Sequence, residues 1–177
     1  MADQDDTTTT EATDPRRAGL TFYEGYETAP PLMDTGIMSM PTFDAEATEQ
    51  VMEWALSGGS DVRVLFHGGQ DGMSLVWSRF APGYPLPRHS HSADCLYYVV
   101  AGEAVLGNRR IGAGHGFFVP ADAPYAYTAG PEGIEILEFR GVSSFDMQIT
   151  ESMPRWDRIV EAVRTHKDGW AAAAAAR

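Results

Sequence analysis

Apolar and polar residues alternate through most of residues 61–149, while in two flanking stretches apolar residues return at helical spacing. Successive side chains of a strand point to opposite faces, whereas positions i, i+3 and i+4 share one face of a helix. On that rule strands are expected over 62–67, 73–81, 95–101, 103–107, 116–119, 125–129 and 134–140, with a further one near 145–149. The breaks between them are Gly68-Gly69, Asp71-Gly72, Pro82-Gly83, Gly107-Asn108, the 112–114 segment and Gly130-Pro131, residues that favour turns. Short strands punctuated this regularly predict a closed or two-sheet β architecture.

The flanks read differently. Ala47, Val51, Trp54 and Ala55 recur at helical spacing, and Met52 and Leu56 widen the stripe. With Asp44 as cap, Glu46 and Glu49 in the early turns and Gly58-Gly59 as a stop, a helix is expected over 44–57. A second helix is expected from Pro154, which suits a first helical position, with Trp156, Ile159, Val160 and Val163 forming the stripe that packs outside the barrel. Trp170 and the alanine run 171–176 either prolong that helix or fray. Residues 19–43 carry Leu20, Phe22, Tyr23, Tyr26, Leu32, Met33, Ile37, Met38, Met40 and Phe43 among glycines and prolines. That is too apolar for a free linker and too broken for a helix, so an extended arm over the barrel or over a partner subunit is expected. Residues 1–18, with four consecutive threonines and five acids, read as a disordered solubilising tail. The organisation is then a tail (1–18), an arm and helix (19–60), a β-barrel (61–150) and a C-terminal helix and tail (151–177).

Composition narrows the function. A net charge of −12 over 177 residues argues against nucleic-acid partners, which need clustered cations, and against anionic membrane surfaces. No apolar run is long enough to span a bilayer. The acidic N-terminus reverses the order of a signal peptide, and a single cysteine excludes an internal disulfide. A soluble, cytoplasmic protein is the simplest expectation.

Within the β region the spacing of certain residues carries more. Gly83 is followed after five residues by His89 and His91, then by Cys95 and Gly102. This run resembles the first signature of the cupin superfamily, with Cys95 in place of the usual Glu. Gly114 is followed after five residues by Pro120, which resembles the second signature, but Asp122 stands for its Gly, Tyr125 for its third His and Ala129 for its Asn. The resemblance spans about residues 83–129. It implies an all-β fold, a double-stranded β-helix (jelly-roll) barrel with an N-terminal arm and helix and a C-terminal helix. It also implies a pocket that commonly holds a metal, and at this size a homodimer.

His89 and His91 project to one side if their stretch is extended, and Pro85 and Pro87 favour extension. Two imidazoles suit zinc, iron, nickel or copper, and the expected cofactor is a divalent ion, iron, zinc, nickel or manganese, or none. The expected ligands are His89, His91, Cys95 and Tyr125; the expected catalytic residues are Tyr125 and Tyr97. A bound ion would favour the thiolate of Cys95, although a single cysteine also reads as a small buried apolar residue. Phe117 or Phe118, Trp77 or Phe80, and Ile134, Ile136 or Phe139 are expected to supply the apolar wall of a small-molecule pocket. Glu138 and Arg140 share a strand face, either as an ion pair or as substrate anchors. Two readings follow. One is a metal-dependent enzyme of dioxygenase or lyase type acting on a small organic molecule. The other is a metal-free cupin that binds a small ligand or works as a His/Tyr isomerase or epimerase.

Overall fold

The computed structural model describes residues 19–41, 43, 45–69 and 72–175. The acidic tail and the capping role expected of Asp44 lie outside them. In chain order the elements are α1 (Leu32–Thr35), β1 (Met38–Ser39), α2 (Ala45–Ala55), β2 (Ser60–His67), β3 (Ser74–Phe80), β4 (Pro85–Ser90), β5 (Cys95–Leu106), β6 (Arg109–Gly112), β7 (Gly116–Val119), β8 (Tyr125–Arg140), β9 (Phe145–Asp146), β10 (Gln148–Ile149) and α3 (Met153–Ala175).

The long strand β8 organises the sheet. Along one edge it pairs with β5, from Leu96↔Phe139 to Val105↔Thr128. Along the other its first half pairs with β4 and its second half with β3. β2 continues the sheet beyond β3, β10 beyond β4, and β6 and β7 flank β5. All these pairings are antiparallel, and the sheet curls into the jelly-roll barrel expected from the sequence. Burial alternates strictly from Cys95 to Val100, so Tyr97 and Val99 enter the core while Leu96, Tyr98 and Val100 face outward. Phe80, Tyr84, Ala104, Tyr127, Ala129, Ile134 and Ile136 complete that core.

Three differences from the sequence reading have local causes. Gly102 and Gly130-Pro131, read as strand breaks, lie inside β5 and β8. The register shifts between Gly102 and Ala104 instead, and a bulge of this kind bends a strand without ending it. β4 and β6 form where prolines and glycines suppressed a strand reading. Within the arm, Leu32–Thr35 makes one helical turn that ends at Gly36 with φ 69°.

The arm lies on the chain's own barrel. Val64 N–H donates to Pro30 O at 3.0 Å, and β1 pairs in parallel with β9 through Phe145 N–H to Ile37 O and Met147 N–H to Ser39 O, both 2.9 Å. Leu32, Ile37, Val64, Val76 and Phe145 form a small core beneath it. At the other flank α3 buries Trp156, Ile159, Val160, Val163 and Trp170. Indole donors fix both helices: Trp54 Nε1 donates to Pro85 O at 2.8 Å and Trp170 Nε1 to Pro82 O at 3.0 Å. Among the described residues no helix is long and apolar enough to cross a membrane.

Asp122 shows what the departure from the signature glycine costs. It adopts φ 61°, in the turn whose amide donates to His91 O at 2.8 Å. Aspartate tolerates this region better than most residues, yet a glycine meets no steric penalty there. Asp122→Gly is expected to raise stability by about 0.5 kcal/mol, the steric gain being partly offset by added freedom in the unfolded chain. A urea titration would check this, and a destabilised variant would mean that the aspartate side chain makes a compensating interaction.

Candidate functional site

A cavity of about 550 Å³ lies between the barrel, the arm and α2. Its wall comes from four directions. The arm contributes Met33, Met38, Met40 and Phe43; α2 contributes Val51, Met52 and Trp54; the sheet contributes Phe80, Tyr84, Leu86 and Tyr127; Phe145 and Met147 close the remaining side. The polar groups of the wall include His89, His91, Tyr125, Glu138, Arg140 and Ser78. A largely apolar wall with a few converging polar groups is the usual form of a small-molecule site.

The two histidines are brought together as expected, with ring centroids 5.0 Å apart. His89 Nδ1 lies 2.7 Å from Pro87 O and His91 Nδ1 lies 2.6 Å from Asp146 O. A carbonyl oxygen only accepts, so each Nδ1 carries the proton and each Nε2 keeps a lone pair. Burial lowers the pKa of His89 to about 4 and also lowers that of His91, whose proton the nearby Arg140 charge further disfavours. Both imidazoles are therefore neutral at neutral pH.

Tyr125 sits over this pair. Its ring centroid is 4.3 Å from that of His89, and its hydroxyl hydrogen-bonds the Tyr97 hydroxyl. Burial raises the pKa of both phenols, and the Glu138 charge acts in the same sense. Tyr97 itself stands one layer behind the wall, stacked on Phe117 at 4.6 Å.

Cys95 is placed differently. It belongs to the buried core and not to the cavity wall, and burial pushes its thiol up to about 12. With no ion beside it, a thiol so placed is neutral. Among the described residues no three His, Cys, Asp or Glu side chains are grouped as a metal cage. The donors that come together are thus the two imidazoles, with the Tyr125 ring packed against them. This set suits a divalent ion of intermediate softness held by few protein ligands, and each Nδ1–H held by a carbonyl is the outer support that metal-bound histidines generally have.

Other expectations resolve at the wall. Phe80 lines the cavity, whereas Trp77 lies on the opposite face of β3, stacked on Tyr26 at 4.3 Å beneath the Arg79 guanidinium. Phe117 turns inward and Phe118 outward. His67, His115 and His166 are exposed. Glu138 and Arg140 form a buried ion pair, Arg140 Nη2 donating to Glu138 Oε2 at 2.8 Å and Ser78 Oγ donating to Glu138 Oε1 at 2.6 Å. Burial alone would raise the Glu138 pKa, but the Arg140 charge and these hydrogen bonds outweigh it and lower it. The contribution of the arm and α2 to the wall was not read from the sequence. Its signal was the cluster of methionines in a segment otherwise rich in glycine and proline.

No protein-family profile matches the chain. In sequence it is similar to the dimethylsulfoniopropionate lyase DddW of Ruegeria pomeroyi, at 30% identity over 105 residues covering 51% of this chain and 69% of that protein. In structure it is similar to the polyketide cyclase RemF from Streptomyces resistomycificus, with a TM-score of 0.53 and 16% identity over 81% of this chain and 99% of that one; this is a likeness of fold alone. An RmlC-like cupin from Shewanella frigidimarina shares 27% identity over 48% of this chain and 78% of its own, with a TM-score of 0.42.

Proposed function

The chain is a member of the cupin superfamily, and from that premise we propose that it is a small cupin lyase. It acts in the barrel cavity on a small organic molecule, with a divalent metal ion held by His89 and His91. The observation that carries this reading is the fixed tautomer of both histidines, each Nδ1–H engaged by a backbone carbonyl so that two neutral Nε2 atoms serve one cavity. The similarity to a lyase supports the same reaction class.

A divalent ion bound there would supply Lewis-acid polarisation of a substrate oxygen and would favour ionisation of a neighbouring phenol. The chain's own residues divide the remaining work. In this reading Tyr125, against His89 and within the cavity wall, takes a proton from a substrate carbon. Tyr97, hydrogen-bonded to Tyr125, stabilises the phenolate that this transfer needs, since a hydrogen bond to the charged form favours it. The apolar wall limits water around the reacting carbon, while the same burial raises the Tyr125 pKa and so makes the support from Tyr97 necessary.

A second reading is favoured by one observation, the lack of a third His, Cys, Asp or Glu grouped with the pair among the described residues. In it the cavity works without metal, His91 Nε2 accepting a proton and Tyr125 donating one, as in an isomerase or epimerase.

Metal analysis by plasma mass spectrometry separates the two. Wild-type protein is expected to carry about one ion of iron, zinc, nickel or manganese per chain, and His89→Ala/His91→Ala to lose it. Dimethylsulfoniopropionate is the first substrate to assay, with dimethyl sulfide as the volatile elimination product. Tyr125→Phe is expected to lower turnover roughly 10²–10⁴-fold while keeping its metal. Protein that stays empty after incubation with each of the four ions would sink the metal reading and leave the acid–base one.

A further inference from the structure

The charges around the cavity cancel within the chain. Among the described residues of its wall, Asp61, Glu138 and Arg140 are the charged ones. Arg63 Nε donates to Asp61 Oδ1 at 2.6 Å, and Arg140 Nη2 to Glu138 Oε2 at 2.8 Å. Phe145 lies over the Arg140 guanidinium, with 3.9 Å from Cζ to the ring centroid, so that pair is covered as well as neutralised. Neutral donors of the wall are engaged in the same way. The Tyr84 hydroxyl donates to Trp54 O at 3.2 Å, Trp54 Nε1 to Pro85 O at 2.8 Å and Ser78 Oγ to Glu138 Oε1 at 2.6 Å. A ligand with a charge along its body would lose hydration here and meet no free counter-charge, which is costly.

What the wall offers instead is sulfur and aromatic carbon. Five of the chain's eight methionines line it, Met33, Met38, Met40, Met52 and Met147, and Phe43, Trp54 and Phe80 stand in the same wall. Thioether sulfur makes favourable contacts with aromatic rings, and methionine adapts to irregular shapes. Aromatic rings add offset and edge-on contacts with one another. The apolar character continues to the surface. Met33, Met52 and Leu56 belong to the wall yet are 63%, 47% and 74% exposed, so the rim between α1 and α2 is apolar too. Exposed apolar patches often mark binding grooves.

We infer that the cavity takes a molecule with an uncharged aromatic body, which enters between α1 and α2 and keeps any polar oxygen at the histidine end. This deepens the lyase reading by naming its substrate class, and it rests on that reading for the catalytic role of the cavity. The volume of about 550 Å³ falls within the range of roughly 300–1,000 Å³ that holds drug-sized ligands, so a bicyclic ring system fits. A divalent ion at His89 and His91 adds its charge at that end alone and leaves the methionine-lined sleeve neutral.

The test uses the full chain in isothermal titration calorimetry, as purified and again with chelator. The probes are 6-methoxy-2-naphthol, which is neutral, and 6-hydroxynaphthalene-2-sulfonate, which keeps the ring and hydroxyl but carries a charge at the far end. The neutral probe is expected to bind about tenfold or more tightly than the sulfonate in both conditions. Met40→Trp fills part of the sleeve and is expected to weaken the neutral probe about tenfold, with folding checked by its melting temperature. Dimethylsulfoniopropionate, short and charged at both ends, is expected to bind more weakly than the neutral probe. A sulfonate or a dimethylsulfoniopropionate that binds as tightly as the neutral probe overturns the inference, as does a folded Met40→Trp protein of unchanged affinity. A protein that binds neither naphthol also overturns it, and a dimer in light scattering would then assign the apolar rim to a second copy. The wild-type comparison decides the matter even if the variant fails to fold. An absence of lyase turnover leaves these affinities untouched, so the two readings fail separately.

Discussion

Arg140→Met is expected to lower the unfolding free energy by about 3–5 kcal/mol, because it strands the Glu138 carboxylate in a buried site. The number follows from what remains behind. Arg140 supplies the charge that holds Glu138 ionised, and Ser78 alone cannot replace it. The double variant Arg140→Met/Glu138→Leu removes both charges, and replacing a buried pair by apolar residues of similar size is often close to neutral. It should recover most of the loss, short of about 1 kcal/mol for the Ser78 hydroxyl left without its acceptor. Urea unfolding of the wild type and the three variants, with Glu138→Leu as the fourth corner of the cycle, reads the coupling directly. A loss below about 1 kcal/mol for Arg140→Met would mean that water reaches Glu138 and that the pair does not behave as a buried one.

Gly102→Val is expected to cost roughly 2–5 kcal/mol, the sum of a left-handed backbone that a branched residue resists and of forced overlap in a packed strand. Gly102 has φ +68°, and a Cβ there would collide with the Gly133 carbonyl across the β5–β8 bulge. Neither part can relax, because both neighbours are backbone atoms of the paired strand. Gly107→Ala is the control. Its φ of +57° carries a similar conformational penalty, but a Cβ meets nothing within 4 Å, so it should lose only about 1–2 kcal/mol. Equal losses at the two positions would locate the whole effect in the dihedral and remove the steric argument.

Gly102 also marks where the sequence reading ran short. Alternation over 95–100 was legible because one sheet face is core and the other is solvent. The same glycine that ends an alternating run in sequence permits a bulge in the fold, and nothing local separates the two outcomes. They differ only by the partner strand that β8 provides. The paired histidines were legible for the opposite reason, since their spacing and the adjacent prolines fix a common face without tertiary information. Tyr125 was reached through its position in the second signature, and it does stand against His89. Cys95 shares that kind of positional signal, yet its inward face on β5 carries it into the core, off the cavity wall. The pairing of Glu138 with Arg140 was open in sequence as an ion pair or as anchors. Deciding it needed Ser78 from β3 and Phe145 from β9, residues 60 positions upstream of Glu138 and five downstream of Arg140.

The arm that walls the cavity is joined to β9 and its neighbour through a short parallel pairing that includes Phe145 N–H to Ile37 O and Met147 N–H to Ser39 O. Attachment of the arm and occupancy of the cavity are therefore linked equilibria. Any molecule that gains contact with Met38 and Met40 is bound only while the strap is in place, and by mass action it raises the free energy needed to peel the strap away. Deuterium uptake at Phe145 and Met147 thus registers cavity occupancy, even though both amides lie on the barrel side of the seam and need not touch the occupant at all.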